Sequence, residues 1–295
     1  MEKEVQFNRL LDYLSLDQLS GMTDSDRISL LAKILDQPPS ETSWQALWEL
    51  FATWPNGESK TRHIDVALKA LATWPDKLRF LRSSYTLLYD GNRLSALARM
   101  VRSIEVDRRE RQGSAELLAI ASSEYSADLR YLSIDRSEID SRAWQALVES
   151  PYLSNLRHLH VRKTILGPSN VQRLFQSARF PWLQCLKLID VGIRPQHQES
   201  LRHLARFAEL CAFDLSSNAL GDEGAMMLSQ LPRMPQVKRL SLREDFIGAQ
   251  AIQALVSSPF CERMEHINVS GNRLTDIEKR ELWALAETRN IELTM

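Results

Sequence analysis

The sequence predicts an α/β solenoid, in which parallel strands line the inside and helices cover the outside, preceded by a small all-α domain. Two observations predict this fold. A unit of 27 residues recurs from residue 129 onward without insertion or deletion, whereas residues 1–100 lack the unit and show helical patterns interrupted by proline and glycine. The composition agrees, because 44% of the 295 residues are hydrophobic, which excludes wholesale disorder.

Six copies of the unit stand in register. Every copy has apolar residues at positions 1, 4, 6 and 11 and a leucine at position 19. Positions 4 and 6 alternate with more polar neighbours, which is typical of a half-buried strand, and positions 16 and 19 are spaced for a helix behind that strand. The copies begin at Leu129, Leu156, Leu183, Leu210, Val237 and Met264.

A single unit cannot bury its own apolar face, so the copies must stack, with a parallel sheet on one side and helices on the other. An atypical first repeat begins at Val101, 28 residues before the first regular copy, and residues 291–293 are expected to form a C-terminal cap. We therefore predict a helical domain over residues 1–100 and a repeat array over residues 101–295.

The pattern LxxLxLxxNxL, followed by a helix, resembles the leucine-rich repeat, and its length resembles the ribonuclease-inhibitor-like subclass. The segments LGDEGA (220–225) and SSPF (257–260) resemble phrases of bacterial arrays of that subclass. The resemblance covers residues 101–295 and implies an asparagine at position 9 that satisfies backbone groups of the turn. Only Asn218 and Asn272 keep it, and the other copies carry Ser137, Thr164, Val191 and Asp245. Because a valine side chain cannot form hydrogen bonds, we expect the third turn to be looser.

The first hundred residues are expected to form a helical domain that caps the array. Four of the seven tryptophans lie there and are expected to fill its core, with a recruiting surface formed by one of them as the alternative. Residues 7–19 resemble the F-box helix of some leucine-rich-repeat adaptors, without its leading Leu-Pro. The predicted helices cover about residues 4–19, 24–36, 42–54, 61–74, 76–89 and 93–100.

Several functional classes lack their signatures. The sequence has no phosphate-binding GxxxxGK[ST] loop, no GxGxxG after a strand, and no HExxH, CxxC or GxSxG motif, so we predict no catalytic residue and no cofactor. A formal net charge of -1 argues against nucleic-acid binding, because a protein that neutralises phosphates usually carries a basic excess. Three cysteines, no apolar signal segment and no long apolar run predict a cytoplasmic protein that does not enter a membrane.

The strand side chains that avoid the core predict a binding surface. The second copy presents five basic or potentially basic groups there, and neighbouring copies add Arg130, Lys187 and the aromatic Tyr131. We expect this patch to contact an acidic protein partner, with an ordinary solvated face as the alternative. The five groups of the second copy are Arg157, His158, His160, Arg162 and Lys163.

A metal site is the other interpretation of part of this patch. His158 and His160 share a strand face, and Cys185 should lie beside His158 on the next strand. No fourth ligand is evident in the sequence, so we predict no metal and expect the histidines to be surface residues.

The functional prediction is a non-enzymatic protein-interaction module that binds its partner on the concave face of the array. Two alternatives stay open. In the first, the protein regulates a partner enzyme such as a GTPase and uses the charged loop 107–112 to do so. In the second, it is an adaptor that recruits a second protein through its helical domain.

Overall fold

A parallel sheet runs through the chain in strict sequence order. The structure is a computed structural model that describes residues 16–82, 88–90, 93–107, 113–234 and 236–295. Within these residues the sheet has nine strands, each hydrogen-bonded in parallel to the next. They are β1 (Phe80–Arg82), β4 (Ser103–Asp107), β5 (Tyr131–Asp135), β6 (His158–Arg162), β7 (Cys185–Ile189), β8 (Ala212–Asp214), β9 (Arg239–Ser241), β10 (His266–Asn268) and β11 (Glu292–Thr294), while β2 (Tyr89–Asp90) and β3 (Arg93–Leu94) form a separate antiparallel pair.

The strand register confirms the 27-residue repeat. Tyr131 pairs with His158, His158 with Cys185, and Cys185 with Ala212, so the same repeat position meets its equivalent on each neighbouring strand. The atypical first repeat also pairs in this way, with Ser103 opposite Tyr131. The cap predicted at residues 291–293 largely coincides with strand β11, which pairs with β10.

Each helix of the array packs behind the sheet through its apolar stripe. In β5 the side chains of Leu132 and Ile134 are fully buried toward the helices, whereas the alternate residues are half-buried on the other face. Trp144 and Leu147 of the following helix are fully buried too, which confirms positions 16 and 19 as its core face. The array helices are Gly113–Ala121, Ser141–Glu149, Pro168–Gln176, Gln198–Leu201, Gly221–Ser229, Ala249–Ser257 and Asp276–Thr288.

An N-terminal helical region precedes the sheet. Thr23 begins one of its helices with a capping box to Asp26, as its position before an apolar run predicts. Trp44, Trp48 and Trp54 are at least 94% buried, which confirms them as core residues, and Trp44 Nε1 donates to the carbonyl of Phe80 at 3.0 Å. This bond joins the helical region to the first strand. The helices are Leu16–Ser20, Asp24–Leu35, Glu41–Thr53 and Glu58–Leu71.

The helix predicted over residues 76–89 is wrong where the structure describes it, and the helix predicted over residues 93–100 is partly wrong, because Arg93–Leu94 is strand β3. Asp76–Leu78 is one 3-10 turn, and β1 follows it because Phe80–Arg82 finds hydrogen-bonding partners in β4, a long-range pairing that overrides local helical preference. Ala96–Met100 is a 3-10 helix. The sheet therefore begins before residue 101, and the division of the chain at residue 100 stays a prediction. Residues 1–15 lie outside the described residues, so most of the predicted helix 4–19 and most of the F-box-like segment 7–19 are not described.

The side chain at position 9 forms hydrogen bonds to the turn of the repeat before it. Asn218 Oδ1 accepts hydrogen bonds from the backbone N–H groups of Val191 and Ile193, both at 3.1 Å, and its Nδ2 donates to the carbonyl of Leu188 at 2.7 Å. Asn272 makes the equivalent bonds to the turn at Asp245. The third turn, expected to be loose because of Val191, is thus held from the fourth repeat, and the Val191 side chain is fully buried.

Asp245 is the exception within this arrangement. Its side chain is fully buried, Oδ1 accepts from the backbone N–H of Asn218 at 2.7 Å, and Oδ2 has no hydrogen-bond partner among the described residues. Burial raises the pKa of this carboxyl from 3.8 to about 7. Between pH 3.8 and about 7, the folded chain therefore keeps a proton on Asp245 that the unfolded chain has released. The contribution of this carboxyl to the free energy of unfolding falls as the pH rises through that window.

We expect Asp245→Asn to stabilise the protein by about 1–3 kcal/mol near pH 8, because an amide supplies the donor that the ionised carboxylate lacks. The gain should shrink toward pH 4, where the native carboxyl is protonated. Urea unfolding at both pH values measures the difference. Asn272→Asp is the matched control and should show the opposite dependence, while an equal gain for Asp245→Asn at both pH values would contradict the assignment.

Candidate functional site

The open face of the sheet, formed by strand positions 3, 5 and 7 on the side away from the helices, carries the candidate site. Because the register is constant, equal positions form rows of side chains about 4.8 Å apart. The position-3 row contains Tyr131, His158, Cys185, Ala212 and Arg239, and the position-5 row contains Ser133, His160, Lys187, Asp214 and Ser241.

His160 lies at the centre of a small cluster. Its Nδ1 is 2.7 Å from the Tyr131 hydroxyl, and its Nε2 is 3.5 Å from Cys185 Sγ on the next strand. The Tyr131 and His160 rings meet edge to face with centroids 4.7 Å apart, and the His158 ring lies 6.3 Å from that of His160. Both ring nitrogens of His160 are thus engaged by neighbouring strands.

The two histidines carry little positive charge at neutral pH. Burial, reinforced by the charge of Lys187, lowers the pKa of His160 from 6.5 to about 3. Burial also lowers the pKa of His158, and nearby Arg157 and Lys187 add to the effect. The sequence predicted both histidines to be potentially basic surface groups. In the structure they are half-buried imidazoles that are largely neutral.

Two of the predicted arginines are already neutralised within the protein. Arg162 forms a fork with Asp135 on the adjacent strand, with Nε–Oδ1 at 3.0 Å and Nη2–Oδ2 at 2.8 Å. The hydrogen bonds from Arg162 lower the pKa of the Asp135 carboxyl. Arg130 Nε lies 3.6 Å from Asp76 Oδ2. These two arginines lie along the patch, but each forms an ion pair with a carboxylate of the same chain.

Three predicted cations are left without an ion pair among the described residues, namely Arg157, Lys163 and Lys187. Arg157 precedes β6 and Lys163 follows it at a left-handed turn residue with φ 50°, so they stand at opposite ends of the strand. Lys187 lies in the middle of β7, beside His160.

Sequence reasoning missed Arg239. It occupies position 3 of the fifth copy, it is exposed, and no ion pair joins it to another described residue. One strand separates it from Cys185, so it extends the positive surface beyond Lys187. Its position in the repeat was the available signal. Asp135 was missed as well, since the sequence pattern does not reveal which carboxylate pairs with Arg162.

A comparison with protein families matches one repeat of the array. The family described as Leucine Rich repeat matches residues 212–229, which span β8 and the helix after it. Together with the repeated strand–turn–helix unit, this match supports a leucine-rich repeat protein. No curated protein matches the sequence. Within the described residues, no helix is long and apolar enough to span a membrane.

Two solved structures show partial similarity. A Bacteroides fragilis protein has 14% sequence identity and a TM-score of 0.47, with 82% of this chain and 84% of that chain covered. The human trophoblast glycoprotein, also called Wnt-activated inhibitory factor 1, has 14% identity and a TM-score of 0.41, with 67% of this chain and 78% of that chain covered.

We expect Lys187→Met to raise the pKa of His160, because it removes the nearest charge that opposes protonation of the imidazole. The value should stay below 6.5, since burial is the larger cause. An NMR titration of the His160 ring protons in metal-free buffer measures the change. Lys163→Met, at the turn, is the control and should leave the pKa unchanged. An unchanged His160 pKa in Lys187→Met would contradict the electrostatic account.

Proposed function

We propose that the protein is a non-enzymatic interaction module that binds an acidic surface of a protein partner on the open, concave face of its sheet. One observation carries the proposal. Arg157, Lys187 and Arg239 present cationic groups on or beside this face without an ion pair among the described residues, in a chain whose formal net charge is only -1. Carboxylates lie on the same face, among them Asp135 and Asp214, so the unpaired cations are local positive groups on a surface that carries both signs.

The chemistry of this surface suits a protein partner. Unpaired lysine and arginine side chains attract a complementary acidic surface and accelerate its encounter, while Tyr131 supplies an aromatic group beside them. Tyr131 is half-buried and its hydroxyl is held by His160, so little conformational entropy is lost when a partner packs on the ring. Leucine-rich repeat folds are in general protein-interaction modules, which is consistent with this proposal.

We expect simultaneous charge reversal of Arg157, Lys187 and Arg239 to glutamate to weaken partner binding at least tenfold. Each reversal replaces an attraction with a repulsion at the interface. The wild-type chain first captures the partner from nuclease-treated native lysate, and titration calorimetry with the purified partner then measures the affinity. The affinity of the wild type should also fall as the salt concentration rises.

The matched control reverses three exposed arginines on helices to glutamate, which changes the net charge by the same amount. Circular dichroism and thermal unfolding must show that both variants are folded. Equal losses in the two variants would contradict an open-face site, as would full binding by the open-face variant. A species captured only when the nuclease treatment is omitted would point to nucleic acid instead. The control residues are Arg62, Arg142 and Arg280.

A further inference from the structure

The cluster around His160 has the composition and geometry of a metal site. His158 and His160 lie two residues apart on β6 and therefore face the same side, and Cys185 pairs with His158 on β7. One ligand atom from each of the three side chains can be chosen so that all lie within 4.8 Å of one another. Three side chains from two rigid, adjacent strands thus converge on one point of the open face.

The distance between two of these atoms already matches a tetrahedral zinc site. Bond lengths of about 2.3 Å to sulfur and about 2.0–2.1 Å to nitrogen place the two ligand atoms about 3.6 Å apart. Cys185 Sγ and His160 Nε2 are 3.5 Å apart. The His158 nitrogen lies within 4.8 Å of the other two ligand atoms, so reaching tetrahedral spacing requires a shift of up to about 1.4 Å, which a side-chain rotation can supply.

A residue behind the cluster orients the central ligand. The Tyr131 hydroxyl lies 2.7 Å from Nδ1 of His160, so with a metal on Nε2 the Nδ1–H donates to the phenol oxygen. Such a contact fixes the tautomer and the ring plane of a ligating histidine, as the outer-shell partners of known metal sites do. Tyr131 is thereby a positioning residue and not a ligand.

We propose that His158, His160 and Cys185 bind a zinc ion, with water in the fourth position on the solvent side. Two imidazoles and a thiolate are ligands that suit zinc and disfavour Mg²⁺ and Ca²⁺, which prefer oxygen ligands. On binding, the Cys185 thiol loses its proton to solvent and the sulfur–metal bond forms, with no change of oxidation state. Lys187 stands beside the site, in register with Asp214 on the next strand. This proposal is independent of the partner-binding function.

Cobalt(II) titration tests the site directly. The full chain, freed of any polyhistidine tag and stripped with chelator, is titrated with Co²⁺ and then with Zn²⁺. We expect one equivalent of Co²⁺ to produce a thiolate-to-cobalt charge-transfer band and tetrahedral d–d absorption, both removed by Zn²⁺. Zinc should also raise the melting temperature of the wild type, because it binds the folded state.

Matched variants separate this site from adventitious binding. Cys185→Ser and His160→Ala should lose the charge-transfer band and the zinc-dependent stabilisation. Cys211→Ser, just before β8, and His266→Ala, on β10, alter the same residue types outside the site and should keep both. Tyr131→Phe should keep the band but weaken zinc affinity about tenfold or more. The wild-type titration stands even if a variant fails to fold. No thiolate band in the wild type, or an equal band in folded Cys185→Ser, would overturn the proposal.

Discussion

The constraint on which the structure depends is the hydrogen bonding between each turn and its neighbour in the stack. Asn218 and Asn272 each accept from two backbone N–H groups of the preceding turn and donate to carbonyls on both repeats, so backbone polar groups that the stack removes from water are satisfied. Because these bonds require position 9 at a fixed distance from the strand, an insertion between the strand and position 9 would break them. The 27-residue spacing from residue 129 onward keeps strand and turn in register, and the 28-residue step before it also leaves Ser103 paired with Tyr131.

The same spacing builds the site. Tyr131, His160 and Cys185 are far apart along the chain, yet constant register places them on three successive strands with their side chains on one face. Rigid strands then hold the hydroxyl, the imidazole and the thiol in contact without any contribution from a loop. The half-buried centre of the face holds this neutral cluster, and Arg157, Lys187 and Arg239 stand around it. The proposed metal ligands and the proposed cationic contacts are therefore different side chains, and Tyr131 adjoins both groups.

The repeat pattern predicts the core positions of each repeat. Contacts between repeats determine the strand pairing and the charge of the patch, which the pattern does not show. Columns 4, 6 and 19 identify the core correctly, since Leu132 and Leu147 are fully buried. Strand β1 escaped prediction because it is stabilised by pairing with β4 and carries no repeat pattern of its own. The charge of the patch was overestimated for a similar reason, because a strand pattern reveals neither the carboxylate that pairs with Arg162 nor the desolvation that keeps His160 neutral.

The central claim is that the open face, and not the helical side, receives the partner. Site-specific photo-crosslinking tests it most directly, with a photoreactive residue placed at Ser133 on the open face or at Arg280 on the last helix. In native lysate, the account predicts that the probe at Ser133 crosslinks an acidic protein and that excess unlabelled wild-type chain abolishes this product. A product formed only from the probe at Arg280 would contradict the account and move the binding surface to the helices.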